Sequence, residues 1–338
     1  MRIAILAPVA WRTPPRHYGP WEQVASNITE GLVANGIDVT LFATADSITG
    51  GKLDAVIERG YEEDRSQDAK VAECLHISNL MEKAPCFDII HNHFDFLPLT
   101  YSALIKTPMV TTIHGFSSSR ILPVYKKYNK HSSYVAISHA DRSPLLTYAA
   151  TIYNGIRTND FEFQSVPGDY LLYFGRIHPD KGPVEAIEIA IKAKRKLLMA
   201  GIIQDRSYFE HKVAPLLSDQ VIYIGEAEPV KRNELMRNAL ALLHPINFDE
   251  PFGLSVAEAM LCGTPVIAFN RGSMPELIVD KKTGFLVNDV DEAAEVVADI
   301  KRLNRTDCRQ WSMEQFSQEK MVEEYVKLYE KVLVSSFK

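Results

Sequence analysis

The sequence predicts an α/β protein with two doubly wound parallel-sheet domains that face each other across a cleft. The chain has 338 residues, which is too long for one ordinary domain and fits two of about 150 residues each. Short apolar runs rich in Val, Ile and Leu recur along it with little polar alternation, as in parallel strands that are covered on both faces. Helical patterns separate these runs, and repeated strand–helix–strand units build parallel sheets.

The apolar runs give the order of the elements. The strands predicted in the first half are Ile3–Ala7, Val39–Ala43, Asp88–His91, Met109–Ile113 and Tyr134–Ile137. Those predicted in the second half are Leu171–Phe174, Lys196–Ala200, Val221–Ile224, Ala241–His244 and Pro265–Ala268. Helices are expected between them, for example over Pro20–Asn35 and Pro183–Lys194.

A polar segment interrupts this rhythm. Residues 154–168 contain Gly and Pro without a clear period, which predicts a linker between an N-terminal domain over 1–155 and a C-terminal domain over 168–318. Apolar residues recur at helical spacing over 319–335, so the chain is expected to close with an amphipathic helix that caps the second domain or crosses back onto the first. Ligands of such sheets bind beyond the carboxyl ends of the strands. Site residues are therefore expected in loops that follow strands.

Composition and charge disfavour several classes of function. Hydrophobic residues make up 46% and charged residues 24% of the chain, as in ordinary globular domains. The net charge of −6 argues against nucleic-acid binding. The four cysteines include no CxxC pair, so neither a zinc ribbon nor a disulfide framework is indicated. Without a signal-peptide pattern or an apolar stretch of about 18 residues, we expect a cytoplasmic protein.

A Pro-Phe-Gly-Leu turn flanked by two carboxylates carries the strongest chemical signal. Glu250 and Glu258 have seven residues between them and follow a predicted strand. A helix is expected to begin near Gly253, and the first amides of a helix, here also those of Leu254 and Ser255, lack partners within it and form an anion site. An anion cradle between two carboxylates suits a sugar nucleotide, although a single glutamate such as Glu258, taken alone, is more often a solvated side chain.

A loop with two cations follows the predicted strand at Leu171–Phe174. Arg176 and Lys181 lie between Gly175 and Gly182, ahead of a helix. Arg176 offers a bidentate guanidinium and Lys181 a point charge, so the two form a clamp for a diphosphate. A solvated loop with surface cations is the alternative, but the glycines permit close approach of the backbone and favour binding.

The first loop, residues 8–21, is long for a strand–helix connection, and such loops are often functional. It lacks a GxGxxG pattern, which argues against a nicotinamide or flavin cofactor. Gly19, near the start of the following helix, can approach a phosphate or a sugar. The side chains of this loop that can meet an acceptor are Arg12, Arg16, His17 and Tyr18.

Two further loops contain candidate binding residues. His114 follows a predicted strand, where a histidine can bind a sugar hydroxyl or serve the structure alone. Gly272 and Ser273 precede a short helix, where free amides are expected, and Glu276 falls in its first turn. A carboxylate there suits the helix dipole, so binding and capping are equally consistent with this pattern.

Two motifs resemble metal ligands. His91, His93 and Asp95 would share one face if their strand continued, and three such ligands hold a metal. We discount this reading because a strand end rarely stays regular that far. Asp289 and Asp291 form a DxD pair, but it opens a helix, and Asp291 is expected to be the N-cap. The sequence therefore predicts no metal and no other cofactor.

These motifs together resemble those of the retaining glycosyltransferases with the GT-B fold, family 4 (glycosyl transferases group 1). The segments that carry the resemblance are the spaced pair Glu250 and Glu258, FGR and KG within 174–182, GSMPEL at Gly272–Leu277, and ISHADR followed by YNGI at Asn154. The match covers nearly the whole chain. It implies two Rossmann-like domains, the N-terminal one for the acceptor and the C-terminal one for the nucleotide sugar, with the last helix packed back on the first domain.

The resemblance also implies roles for single residues. Glu250 is similar to the family's glutamate that contacts the donor sugar, and Glu258 to the one that binds the ribose. Arg176 and Lys181 are similar to the pair that neutralises the diphosphate in place of a metal. His114 matches the histidine near the donor sugar.

The backbone near Phe252, Gly253 and Leu254 is similar to the segment that touches sugar and phosphate in the family. One position departs from the pattern. The first loop of the family often carries two glycines, whereas here Gly19 is followed by Pro20, which has no amide proton to donate. The acceptor-side role of this loop is therefore open.

The sequence thus predicts transfer of a sugar from a nucleotide sugar to an acceptor hydroxyl with retention of the α configuration. Family frequency suggests UDP-glucose, GDP-mannose or UDP-N-acetylglucosamine as the donor. The acceptor stays open among carbohydrates, lipid-linked molecules and small molecules, which leaves room for peripheral membrane contact. A sugar-nucleotide epimerase of the same architecture and a non-catalytic sugar-nucleotide binding protein are the alternatives, and the missing GxGxxG pattern argues against an oxidoreductase.

Overall fold

The chain folds into two α/β units, each built around its own parallel sheet. The computed structural model describes residues 1–116 and 118–336. The first unit comprises Met1–Gly155 together with the C-terminal segment from Gln318, and the second comprises Ile156–Ser317. The predicted fold class, with two doubly wound parallel sheets, is confirmed.

The first unit contains a seven-stranded sheet. Its strands are β1 (Arg2–Leu6), β2 (Asp38–Phe42), β3 (Lys52–Asp54), β4 (Ile89–Asn92), β5 (Met109–Ile113), β6 (Ser132–Ala136) and β7 (Ala150–Thr151). Its first helices are α1 (Pro20–Ala34), α2 (Ala69–Glu82) and α3 (Leu122–Tyr128). The strand order is β3-β2-β1-β4-β5-β6-β7, so the sheet grows in both directions from the β1–β4 pair. That pair is the topological switch point, where open α/β sheets bind ligands.

The second unit repeats this plan with six strands. They are β8 (Tyr170–Phe174), β9 (Lys196–Ala200), β10 (Val221–Tyr223), β11 (Ala241–His244), β12 (Val266–Phe269) and β13 (Gly284–Val287). Its helices are α4 (Pro183–Lys192), α5 (Arg206–Tyr208), α6 (Pro229–Asn238), α7 (Leu254–Leu261), α8 (Met274–Leu277), α9 (Val290–Val296) and α10 (Arg305–Phe316). The order β10-β9-β8-β11-β12-β13 puts the switch point between β8 and β11.

Burial explains why the strands lack polar alternation. Along β1, the four residues from Ile3 to Leu6 are each 0% exposed, because helices cover both faces of the sheet. The bounds of β5, β9 and β11 coincide with the predicted ones. The strands β3, β7 and β13 lack a counterpart among the predicted runs. They lie at sheet edges and have three, two and four residues.

The last helix, α11 (Gln318–Ser336), belongs to the first unit. It packs so closely on α1 that a Cβ added to Gly31 would lie 2.4 Å from Cγ2 of Val322. Its tyrosines Tyr325 and Tyr329 are 1% and 0% exposed and reach the sheet. The amphipathic helix expected here thus buries its apolar face within this unit. None of the helices among the described residues is long and apolar enough to cross a membrane.

Two local expectations need correction. The polar segment expected to be a linker contributes Ile156 and Phe161, each 3% exposed, to the second unit, where the Ile156 amide donates to Phe316 O at 2.8 Å. The N-cap of α9 is Asp289, because its carboxylate accepts from the amides of Asp291 and Glu292 at 2.9 Å. Asp291 is instead a helical residue whose side chain pairs with Lys192.

Candidate active site

Loops that follow β8, β11 and β12 meet at the carboxyl edge of the second sheet. Gly182, with φ 66°, lies so close to the next loop that an added Cβ would come within 1.8 Å of Pro245 O. Gly272, with φ 55°, is as tightly placed, since its added Cβ would lie 2.4 Å from Glu250 N. The amide of Asn247 donates to Asp180 O at 2.7 Å. Three motifs that are distant in sequence therefore form one site at the switch point.

Lys181 and Glu250 form an ion pair at this site. The ammonium of Lys181 donates to Oε2 of Glu250, and the two side chains are only 16% and 13% exposed. The same ammonium lies 4.6 Å from the centroid of the Phe248 ring, a cation–π contact. The lysine predicted for the diphosphate and the glutamate predicted for the sugar thus engage each other directly.

Arg176 takes a different partner. Its guanidinium donates to Oε1 of Gln204, in the loop that follows β9, while its carbonyl accepts from the Tyr173 hydroxyl at 2.7 Å. The loop after β8 thus carries both predicted cations. Both side chains contact neighbouring loops at the same edge of the sheet. The diphosphate clamp of Arg176 and Lys181 therefore stays a prediction.

The turn before α7 presents backbone groups as its sequence suggests. Gly253 is the N-cap in the left-handed region with φ 91°, and its carbonyl accepts from the Val256 amide at 3.0 Å. A helix leaves its first amides, here those of Leu254 and Ser255, without partners inside it. The ring of Phe252 packs edge-on to Phe316 at 5.6 Å in the core, so only the backbone of Phe252 is placed for a ligand.

Ser273 supports this turn from the next loop. Its hydroxyl donates to Phe252 O at 2.8 Å and its amide to Glu250 O at 3.0 Å. The free amide expected at Ser273 is therefore engaged, because the turn after β11 uses it. Glu276 lies in the first turn of α8, as expected, and is half-buried.

Glu258, predicted for the ribose, lies inside α7 and is 6% exposed. Its Oε1 is 3.1 Å from Nη1 of Arg232 on α6, and the Arg232 guanidinium lies 5.0 Å from the Phe161 ring centroid. Burial raises the pKa of Glu258, and the charge of Arg232 opposes this rise. The arginine therefore holds a buried carboxylate in place, with its charge compensated.

His244, the last residue of β11, is a member of the site that the sequence analysis does not name. It is 6% exposed, and its Nε2 lies 3.8 Å from Oε2 of Glu250. That nitrogen is buried and has no hydrogen-bond partner within the described part of the chain. Burial lowers its pKa to about 4, so the imidazole is neutral at pH 7. Its position at a strand end directly before the Glu250 turn is a signal that could have found it.

The first unit holds His114 in a buried polar network. Its Nε2 is hydrogen-bonded to Nδ1 of His93 at 2.9 Å, and its ring stacks on Trp21 at 5.6 Å. His93 lies 3.3 Å from Nδ1 of His91, which also binds the hydroxyl of Tyr329 on α11 at 2.6 Å. Burial lowers the pKa of His114 to about 3. This network fixes the orientation of an imidazole for which the sequence predicts a role near the donor sugar.

His91, His93 and Asp95 do not converge on one point. The histidines bind each other, whereas Asp95 accepts a hydrogen bond from the hydroxyl of Tyr125. Asp95 has φ 72°, so the chain turns away from a regular strand there, as expected. Throughout residues 1–116 and 118–336, no group of three or more His, Cys, Asp or Glu side chains is arranged to hold a metal ion.

Gly19 is the N-cap of α1 and lies beside a buried carboxylate. A Cβ added to Gly19 would lie 2.9 Å from Oε2 of Glu22. The other oxygen of Glu22 accepts from the Trp11 amide at 3.3 Å, which ties the first loop to the helix. Glu22 is 3% exposed, and burial raises its pKa to about 7. The sequence analysis does not name this glutamate, because a single Glu in a first helical turn is ordinary.

Two family models match this chain. The model described as Glycosyl transferases group 1 matches residues 157–320, and the model described as Glycosyltransferase Family 4 matches residues 21–160. The chain is a glycosyltransferase of the group 1, family 4 type. A relative named as an uncharacterized glycosyltransferase of Methanocaldococcus jannaschii is 24% identical over 339 residues, which cover 85% of each protein.

Solved structures give this glycosyltransferase the GT-B fold. Sucrose-phosphate synthase of Thermosynechococcus elongatus is similar with a TM-score of 0.80 at 19% identity, over 99% of this chain and 100% of that one. The Anabaena protein HepE in complex with UDP-glucose is similar with a TM-score of 0.74 at 18% identity, over 98% of this chain and 100% of that one. Likeness at this identity establishes the fold of the enzyme and leaves its substrates to be proposed.

Proposed function

We propose that this glycosyltransferase moves a sugar from a nucleotide-sugar donor to an acceptor hydroxyl, with retention of the α configuration and without a metal ion. The observation that carries the proposal is the meeting of Lys181, Glu250 and the start of α7 at one switch point, with Glu258 further along the same helix. A cation, two carboxylates and helix amides match the parts of a sugar nucleotide: diphosphate, sugar and ribose.

The steps of the proposed reaction are those that the family resemblance implies. The acceptor oxygen attacks the anomeric carbon on the face that the diphosphate leaves, the bond from that carbon to the diphosphate oxygen breaks, and the acceptor proton passes to the departing diphosphate. Negative charge grows on the phosphate as the sugar becomes oxocarbenium-like. Lys181, Arg176 and the amides of Leu254 and Ser255 stabilise that charge because they are fixed in place before the reaction. Glu250 orients the sugar and does not attack it.

A UDP-sugar is the donor that we propose first. HepE, of the same fold, is described in complex with UDP-glucose. GDP-mannose remains a second candidate because no base-specific contact follows from the site. The role of His114 near the donor sugar rests on the family resemblance, and Gly19, which can approach a phosphate or a sugar, lies like His114 in the first unit.

A thermal-shift screen of UDP, GDP and their sugars tests the donor, since a ligand that binds the folded state raises the melting temperature. The donor found is then incubated with a panel of sugar, lipid-linked and small-molecule acceptors. We expect release of nucleoside diphosphate only with an acceptor, and an α-anomeric proton coupling in the product. A β-linked product would contradict retention.

The two alternatives give different outcomes in the same assay. An epimerase converts the nucleotide sugar into an epimeric nucleotide sugar without any acceptor. A binding protein shows the thermal shift without turnover under every acceptor condition. Either result would replace the transferase reaction proposed here, and Arg176→Ala with Lys181→Ala provides the inactive control.

A further inference from the structure

His244 is buried beside the ion pair of the site, and one of its ring nitrogens is unused. Its Nε2 has no hydrogen-bond partner within the described residues, although the atom is inaccessible to solvent. A buried polar atom left unpaired is costly, and such atoms in native proteins call for an explanation. Oε2 of Glu250 lies 3.8 Å from this nitrogen, slightly beyond hydrogen-bond range.

Glu250 already has a partner in Lys181, and this pairing creates a difficulty for ligand binding. If Lys181 is to neutralise a diphosphate, its ammonium must leave Glu250. The carboxylate, only 13% exposed, would then lose the cation that compensates its charge, and a buried uncompensated carboxylate is strongly disfavoured.

We infer that His244 is a positioning residue that takes over Glu250 when Lys181 turns to the donor's diphosphate. A shift of less than an ångström brings Oε2 of Glu250 within reach of Nε2, whose N–H then donates to the carboxylate. The exchange keeps a hydrogen-bond donor on the Glu250 carboxylate, which stays aimed at the sugar while Lys181 binds the phosphate. This inference rests on the proposed function, because it needs Lys181 to meet a diphosphate.

The neutral state of the imidazole fits this role. Burial holds the pKa of His244 near 4, so the ring adds no positive charge that would compete with Lys181 for Glu250. In one tautomer, a neutral imidazole offers a single N–H at Nε2. It can therefore donate to the Glu250 carboxylate without binding it as tightly as the Lys181 ammonium does. The ion pair of Lys181 and Glu250 can then re-form after the product leaves.

The test is a double-mutant cycle on affinity for the nucleoside diphosphate that the wild-type protein binds, measured by calorimetry. His244→Phe removes the donor, and we expect it to weaken binding by about tenfold or more, the scale of a hydrogen bond to a charged group. His244→Gln offers an amide N–H near the same place and should recover part of this affinity. In a Glu250→Gln background, His244→Phe should have no further effect, because no carboxylate remains to be compensated.

If His244→Phe only disturbed packing, it would change the affinity equally in the wild-type and Glu250→Gln backgrounds. His76→Phe is the matched control, since His76 is also a fully buried histidine but lies in the first unit, bonded to Ala7 O at 2.8 Å. If His244→Phe and His244→Gln both bind as the wild type does, or if the effects of His244→Phe and Glu250→Gln simply add, the exchange is refuted. If the wild-type protein binds no nucleoside diphosphate at all, the proposed function fails instead.

Discussion

Lys181 and Glu250, which come from loops after different strands, form a largely buried ion pair at the carboxyl edge of the second sheet. The sequence assigns these two side chains to different parts of the donor. Under the proposed function, the diphosphate draws the Lys181 ammonium away from Glu250. Binding of the diphosphate is then coupled to release of Glu250, and this coupling changes what a substitution at either position should do.

Glu250→Gln should raise the affinity for free nucleoside diphosphate by roughly tenfold, about 1.4 kcal/mol, and lower turnover with the donor. The substitution frees Lys181 for the phosphate but replaces the carboxylate that orients the sugar. Without the pairing of Lys181 and Glu250, the affinity would stay almost unchanged, since a free nucleoside diphosphate lacks the transferred sugar. Calorimetric titration with nucleotide, beside steady-state kinetics, decides the matter. A loss of nucleotide affinity would show that Glu250 itself contacts the nucleotide.

Lys181→Ala and Arg176→Ala should each cut turnover by about 10²-fold or more, the scale seen when one charge-stabilising group is removed. Lys181→Ala should also destabilise the fold, because it leaves Glu250 buried without its cation. Lys212→Ala, an exposed position on the same unit, is the control. Kinetics on variants that keep the wild-type circular dichroism spectrum provides the measurement. Near-normal turnover in either variant would reduce that residue to a surface charge.

Much of this site was predictable from the sequence because its residues follow strands. Parallel strands end at one edge, so the segments around Arg176, Glu250 and Gly272 were expected to meet, and the glycines that allow this meeting stand in the sequence. Strand bounds were also predictable where apolar runs are long. The edge strand β3 was not, because its three residues, Lys-Leu-Asp, include a single apolar side chain.

Pairings between side chains were not predictable in the same way. Nothing local in the sequence brings Arg232 to Glu258, since they lie on separate helices whose packing joins them. The same holds for the contact of Tyr329 with His91, which lie 238 positions apart in the sequence. The expectation of a free amide at Ser273 was wrong for the same reason, because that amide bonds to Glu250 O in a loop that only the packing brings close.

Arg232→Ala should weaken binding of nucleoside diphosphate and of donor by similar factors, about tenfold each. The ribose is common to both ligands, and Arg232 acts by holding the Glu258 carboxylate at 3.1 Å. Glu258→Ala should do the same with a larger effect, of about 10- to 150-fold. Lys231→Ala is the matched control, since its pairing with Glu234 is exposed. An Arg232→Ala variant that loses donor affinity alone would place the arginine near the sugar.

Activity should survive dialysis against a chelator. Lys181 and Arg176 can supply the positive charge that a divalent cation provides in metal-dependent transferases. The measurement is the initial rate before and after dialysis against EDTA, with the protein's melting temperature followed in parallel. A rate that collapses and returns only with Mg²⁺ or Mn²⁺ would reject the metal-independent mechanism. It would direct attention to carboxylates beside the diphosphate.

Acid should destabilise the fold between about pH 6.5 and 4 through its buried histidines. Burial lowers the pKa of His76 and His244 to about 4 and that of His91 and His114 to about 3, from an ordinary value of 6.5, and it lowers the pKa of His93 well below that value. As the pH falls through 6.5, the unfolded chain takes up protons at these sites before the folded chain does. Their contribution to the free energy of unfolding is therefore present above pH 6.5 and is lost towards pH 3 to 4.

Four carboxylates act in the opposite direction, but the five histidines outnumber them. Burial raises the pKa of Glu22 to about 7 and that of Asp95 to about 6, and it also raises the pKa of Glu73 and Glu258, so the folded chain binds these protons first and gains stability as the pH falls. With five histidines against four carboxylates, we expect the urea midpoint to be lower at pH 5 than at pH 7. His76→Gln, in the first unit, should make that difference smaller by removing one of the five. A urea midpoint that rises on acidification would mean that the carboxylates dominate. If the midpoint of His76→Gln changes between pH 7 and pH 5 as much as that of the wild type, His76 does not contribute to the acid effect.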